Sequence, residues 1–158
     1  MDWANMDLNR VQMAITLLVG GAAVIEDLAR RTISNWTSLA ALAAGLVCQS
    51  LAGGWRGAGS ALLGAIVGFA AFYIVHVLGG RGGGDVKLMA GLGAVVGIGQ
   101  LLMALIWVSL TGGVIALGVL GWSAAAKIVR PSRAGAVMAI PYAPAIVGGV
   151  WLTLLGNQ

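Results

Sequence analysis

From Leu88 to Trp122 the chain runs for 35 residues without a charged side chain. As one straight helix this stretch would be about 52 Å long, whereas the hydrocarbon core of a bilayer is about 30 Å thick. Such a run cannot cover a water-facing surface, and it overshoots a single membrane crossing. It must double back, and Gly97, Gly99 and Gln100 mark the expected turn. The remaining composition agrees. Only 9% of the 158 residues are charged and 59% are apolar, against about 25% charged in an ordinary soluble domain. The 26 glycines come with 3 prolines and no collagen-like repeat, and this hydrophobicity excludes disorder. Glycine with apolar side chains suits transmembrane helices, whose backbones approach closely through small residues. The expected fold class is all-α: a polytopic membrane protein with six spans, roughly 11–29, 36–53, 58–78, 86–99, 100–122 and 137–155. One integral-membrane domain covers residues 1–158, and the longest polar stretch, Ser123 to Ala136, is a loop.

The basic residues sort by side. Arg30, Arg31, Arg81, Lys87, Lys127, Arg130 and Arg133 follow the odd-numbered spans, and only Arg10 and Arg56 fall opposite. The positive-inside rule then makes the odd loops cytoplasmic and both termini external. Trp36, Trp55 and Trp122 stand at span ends, where an aromatic belt belongs. Arginines follow the first apolar run instead of preceding it, and no A-x-A site is evident, so no cleaved signal peptide is expected. The net charge of +4 does not point to nucleic acid, because the basic residues are scattered and form no stripe.

Several chemistries are excluded by counting. With one cysteine, Cys48, the chain holds no internal disulfide and no CxxC zinc ribbon. With one histidine, His76, it holds no HExxH zinc site, and it has no GxSxG elbow. His76, near the end of the third span, reads as an interface residue. The glycine pairs Gly64/Gly68 and Gly93/Gly97 have small-xxx-small spacing, which serves either internal helix packing or a face for a second copy.

Five acidic residues remain. Asp2 and Asp7 lie in the polar N-terminal tail, whereas Glu26, Asp27 and Asp85 sit at the membrane boundary, where ionisable groups are costly and mark function. The topology puts Asp27 at the cytoplasmic end of the first span and Asp85 at the cytoplasmic entry to the fourth. They are 58 residues apart in sequence yet at matching depth. Asp85 is preceded by Gly82-Gly83-Gly84, a GxGD pattern in which small residues let the backbone leave helical geometry beside the carboxylate. The plainer alternative is a loop followed by an Asp cap.

Three motifs occur in order. They are Asp27-x-x-x-Arg31-x-Ile33-x-Asn35, then Gly82-x-Gly84-Asp85-Val86-Lys87-Leu88-Met89, then Ile140-Pro141-Tyr142-x-Pro144. Together, from about Val24 to Ala145, they resemble the type IV prepilin peptidases, the GxGD intramembrane aspartic proteases. The chain lacks the cytoplasmic CxxC insertion linked to pilin N-methylation in larger members, so it resembles the short branch serving Flp (tight-adherence) pili. It also has Ser34 where the family commonly has proline.

The resemblance implies that Asp27 and Asp85 form the catalytic pair. Two close carboxylates resist double ionisation and share a proton. One takes a proton from water as it attacks the scissile carbonyl, and the other protonates the carbonyl oxygen and then helps the amine leave. Either aspartate can be the base, because the pair titrates as a unit. Successive helical side chains point about 100° apart, so only one of Glu26 and Asp27 faces the partner, and the motif selects Asp27. Gly82 and Gly84 then line the substrate's approach. Lys87 adjusts or positions the pair, or else serves only as a topology determinant. Pro141 and Pro144 loosen the start of the sixth span beside the site. No cofactor and no metal are implied. The implied partners are a prepilin substrate and membrane lipid in the bacterial inner membrane, with the active site at the cytoplasmic face. A proton-coupled transporter using the same Asp pair is the rival reading; it would favour acidic groups near the midplane and a repeat relating two halves.

Overall fold

The computed structural model describes residues 3–78, 83–129 and 142–156, which form four α-helices: α1 (Trp3–Arg30), α2 (Asn35–Val77), α3 (Gly83–Val129) and α4 (Ala143–Leu155). By length and composition, three helical stretches can cross a membrane: Leu8–Arg30, Asn35–Val77 and Gly83–Val119. Helix α4 is apolar but has only 13 residues. The chain is therefore an all-α membrane protein, but the expectation of six separate spans is corrected. The second and third expected spans are one element, α2, kinked at Gly54, and the fourth and fifth are one element, α3, kinked at Gly97. The physical reason is backbone freedom. Gly54 (φ 56°, ψ −136°) and Gly97 (φ 70°, ψ 171°) adopt angles that side chains disfavour, so the chain bends at one residue and needs no loop.

The bends are sharp. Gly57 packs on the carbonyl of Gln49, although eight residues of straight helix would separate them by about 12 Å. Along α3, Gly45 touches Ala94 and Val95 while Ala41 touches Gly91; on the other half of α2, Gly64 touches Gly93 and Gly68 touches Met89. The two halves of α2 thus run in opposite directions along the first half of α3. The second half of α3 packs against α4, with Gly149 on Val108 and Gly112 near Ala145. Gly64, Gly68 and Gly93 consequently make contacts within the chain.

Interruption of the helical ladder at Gly97 leaves polar backbone inside the bundle, where it must find partners. The Val95 carbonyl accepts from Gln12 Nε2 at 2.7 Å and from Gln49 Nε2 at 3.2 Å, and the Ile98 N–H donates to Ser60 Oγ at 3.2 Å. Around this centre Leu88, Met89, Leu92, Leu101, Ile146 and Leu154 are fully buried, while Leu18, Leu51 and Trp55 are largely exposed. An apolar exterior of this kind matches lipid as the surrounding solvent.

The packing gives the bundle two distinct ends. The Gly54 and Gly97 bends lie at one, where Thr153 and Gly156 of α4 meet Gly99 and Gln100. At the other end gather the last turn of α1, both termini of α2, and the first turns of α3 and α4.

Candidate active site

Asp27 occupies the last turn of α1 and is only 8% exposed. Its Oδ2 accepts a hydrogen bond at 3.1 Å from the Ala143 N–H, at the start of α4. The first N–H groups of a helix have no partner inside it, and Tyr142, the N-cap of α4, supplies none from its side chain. Asp27 fills that need from another helix. Pro144 sits in the first turn of α4, where the N–H it lacks is not required.

Asp85 lies in the first turn of α3, half-buried. Ile33, six residues after Asp27, packs on Gly84, the neighbour of Asp85, so the ends of α1 and α3 that carry the two carboxylates lie at the same end of the bundle. Because a backbone N–H can only donate, Asp27 Oδ2 is the acceptor in the bond to Ala143.

The other sequence-derived candidates take different positions. Lys87 is exposed and donates through Nζ to Asn35 Oδ1 at 2.8 Å, which ties α3 to the start of α2. A Cβ at Gly84 would stand 3.1 Å from Ile33 Cβ and 3.3 Å from Ile33 N. The missing side chain at Gly84 therefore makes room for Ile33. Gly83 is more open, and among the described residues a Cβ there would meet only His76 Cε1, at 4.0 Å. Gly82 and Pro141 lie outside the described residues. Among the described residues, no three of His, Cys, Asp and Glu converge as metal ligands.

Glu26 turns away from the aspartates. Its Oε2 accepts from the Ser34 N–H at 2.8 Å, and both carboxylate oxygens are 2.9 Å from Thr37 Oγ1. Between these residues Arg31 closes α1 in the left-handed region (φ 52°), its N–H donating to the Asp27 carbonyl at 2.8 Å. Sequence reasoning weighed Glu26 only as a substitute for Asp27, and it had no sign of the Ala143 contact. Both rest on backbone donors, which leave no letter in a sequence.

A sequence profile of the type IV leader peptidase family matches residues 14–117. No curated protein and no solved structure matches the chain.

Proposed function

The chain belongs to the type IV leader peptidase family, and on that membership we propose that it is an intramembrane aspartic endopeptidase that removes the basic leader from prepilins, cutting after glycine. One observation supports the reading: Ile33, in the turn that follows Asp27, packs on Gly84, the neighbour of Asp85, so the chain ends that carry the two carboxylates meet at one end of the bundle.

The chemistry follows from the carboxylates. The ionised member takes a proton from water, whose oxygen attacks the scissile carbonyl. The protonated member donates to the carbonyl oxygen, and the proton held by the pair passes to the leaving amine as the C–N bond breaks. The Ala143 N–H fixes the orientation of the Asp27 carboxylate through Oδ2 as it enters this cycle.

The site opens at the cytoplasmic face of the bacterial inner membrane. Arg30, Arg31 and Lys87 stand exposed at the carboxylate end of the bundle, while Arg56 lies beside the Gly54 bend at the other, a distribution that favours this orientation. The substrate is an Flp-type pilin or pseudopilin, since the chain has none of the CxxC motifs of the larger members. Residues 1–158 act as one peptidase domain.

Co-expression with a candidate Flp-type prepilin tests the proposal. Wild-type protein yields a shortened pilin and the Asp85→Asn protein does not. An unshortened prepilin with the wild-type protein would overturn it.

A further inference from the structure

We propose that Glu26 is a positioning residue, which locks the turn between α1 and α2 and thereby sets the approach of Asp27 to Asp85. The inference rests on the peptidase reading for its activity assay, but its geometry stands apart from it.

Residues 31–34 form a short turn touching both carboxylate-bearing elements. It leaves α1 four residues after Asp27, and Ile33 presses on Gly84, the neighbour of Asp85. The turn carries strain: a left-handed conformation at a residue with a side chain, as at Arg31, persists only where its surroundings enforce it. Enforcement comes from Glu26. Through Ser34 N–H and Thr37 Oγ1 its carboxylate binds both the last residue of the turn and the first turn of α2. Lys87 and Asn35 close the same turn from the side of α3.

Ser34 sharpens the assignment. Its φ of −64° is the angle that a proline ring fixes unaided, and its ψ of 141° lies in the extended region that proline also adopts. Serine does not enforce this φ, but unlike proline it offers an N–H, and Glu26 accepts that N–H. The carboxylate thus does for Ser34 what a ring would do covalently. The two devices are alternatives, so they must show epistasis.

The test uses the full-length protein in detergent with a purified prepilin. Glu26→Ala should lower kcat about tenfold, as small misplacements of reacting groups do, with KM changed by less than about twofold because substrate contacts remain. Glu26→Gln should recover most of the loss, since its amide oxygen still accepts from Ser34 and the Thr37 hydroxyl can reverse to accept. In a Ser34→Pro background, Glu26→Ala should cost less than about twofold further. Equal losses from Glu26→Ala in both backgrounds, or wild-type kcat for Glu26→Ala, would overturn the proposal.

A second measurement needs no activity. Arg30 and Arg31 are exposed, so the rate of tryptic cleavage there reports how firmly the turn is held. Glu26→Ala should speed it severalfold with the unfolding temperature nearly unchanged, and Ser34→Pro should slow it again; an unaltered rate in Glu26→Ala would overturn the proposal. If the wild-type protein leaves prepilin intact, the peptidase reading fails, and trypsin still decides the role of Glu26.

Discussion

The Asp27 carboxylate accepts a hydrogen bond from the backbone N–H of Ala143, 116 residues further along the chain. Both groups are buried, Ala143 completely. One side chain therefore caps a helix that follows it by most of the sequence.

Stability should separate two substitutions at Asp27. Asparagine keeps an acceptor for Ala143, whereas alanine leaves a buried N–H unpaired, which costs about 1–3 kcal/mol. Asp27→Ala should unfold in detergent at a lower temperature than Asp27→Asn. Equal stability of the two would show that the bond contributes nothing to holding α4.

Activity should treat the two aspartates as one unit. Asp27→Asn and Asp85→Asn each abolish prepilin cleavage while the protein remains inserted, and the double mutant is little worse than either single, because the groups act together. Membrane fractionation checks insertion and a gel shift of the pilin checks cleavage. Losses that multiply in the double mutant would mean that the two carboxylates act independently.

Gly84 should tolerate little. Alanine there forces Ile33 to yield by a few tenths of an ångström, and valine adds branches toward the same contact. Cleavage should fall with Gly84→Ala and vanish with Gly84→Val. Gly21, which has nothing within 4 Å of an added Cβ, should accept alanine without effect. If Gly84→Val keeps wild-type activity, the packing of Ile33 on Gly84 does not matter to the site.

Much of the architecture was legible because hydropathy can be measured against membrane thickness. The 35-residue uncharged run had to reverse, and the bend falls at Gly97, among the residues expected for it. The same reasoning divided the apolar runs into six spans; in the structure the second joins the third and the fourth joins the fifth across one-residue kinks at Gly54 and Gly97. Depth and side alone put the end of α1 that carries Asp27 beside the start of α3 that carries Asp85, where Ile33 packs on Gly84. The partners around them could not be read in this way. Glu26 reaches Ser34 and Asp27 reaches Ala143 through backbone N–H groups, which every non-proline residue carries and which no spacing reveals. Gly84 illustrates the opposite difficulty, since a missing side chain does not say whether a substrate or Ile33 fills its room.

The proposed orientation rests on the exposed basic residues. In a Cys48→Ala background, Arg56→Cys should react with a membrane-impermeant maleimide added outside intact cells, and Arg30→Cys should react only after permeabilisation. Both positions are exposed, so access and not burial decides the labelling. External labelling at position 30 would invert the topology and move the site to the other face.

The substrate's own sequence should matter most at the residue before the cut. A site at the cytoplasmic boundary requires the scissile bond at the cytoplasmic end of an apolar helix. A basic leader stays on that side, while the apolar segment partitions into the bilayer and holds the junction level with Asp27 and Asp85. The bond must also leave helical geometry to be attacked, and glycine unwinds at the least cost. Gly83 is exposed, and among the described residues an added Cβ there would meet only His76, whereas Gly84 is closed by Ile33. Replacing the substrate glycine with leucine should therefore block processing by wild-type enzyme, and a conservative change within the apolar segment should do little. A gel shift of purified prepilin in detergent measures both. Equal cleavage of the glycine and leucine substrates would show that neither unwinding nor side-chain bulk limits entry to the carboxylates.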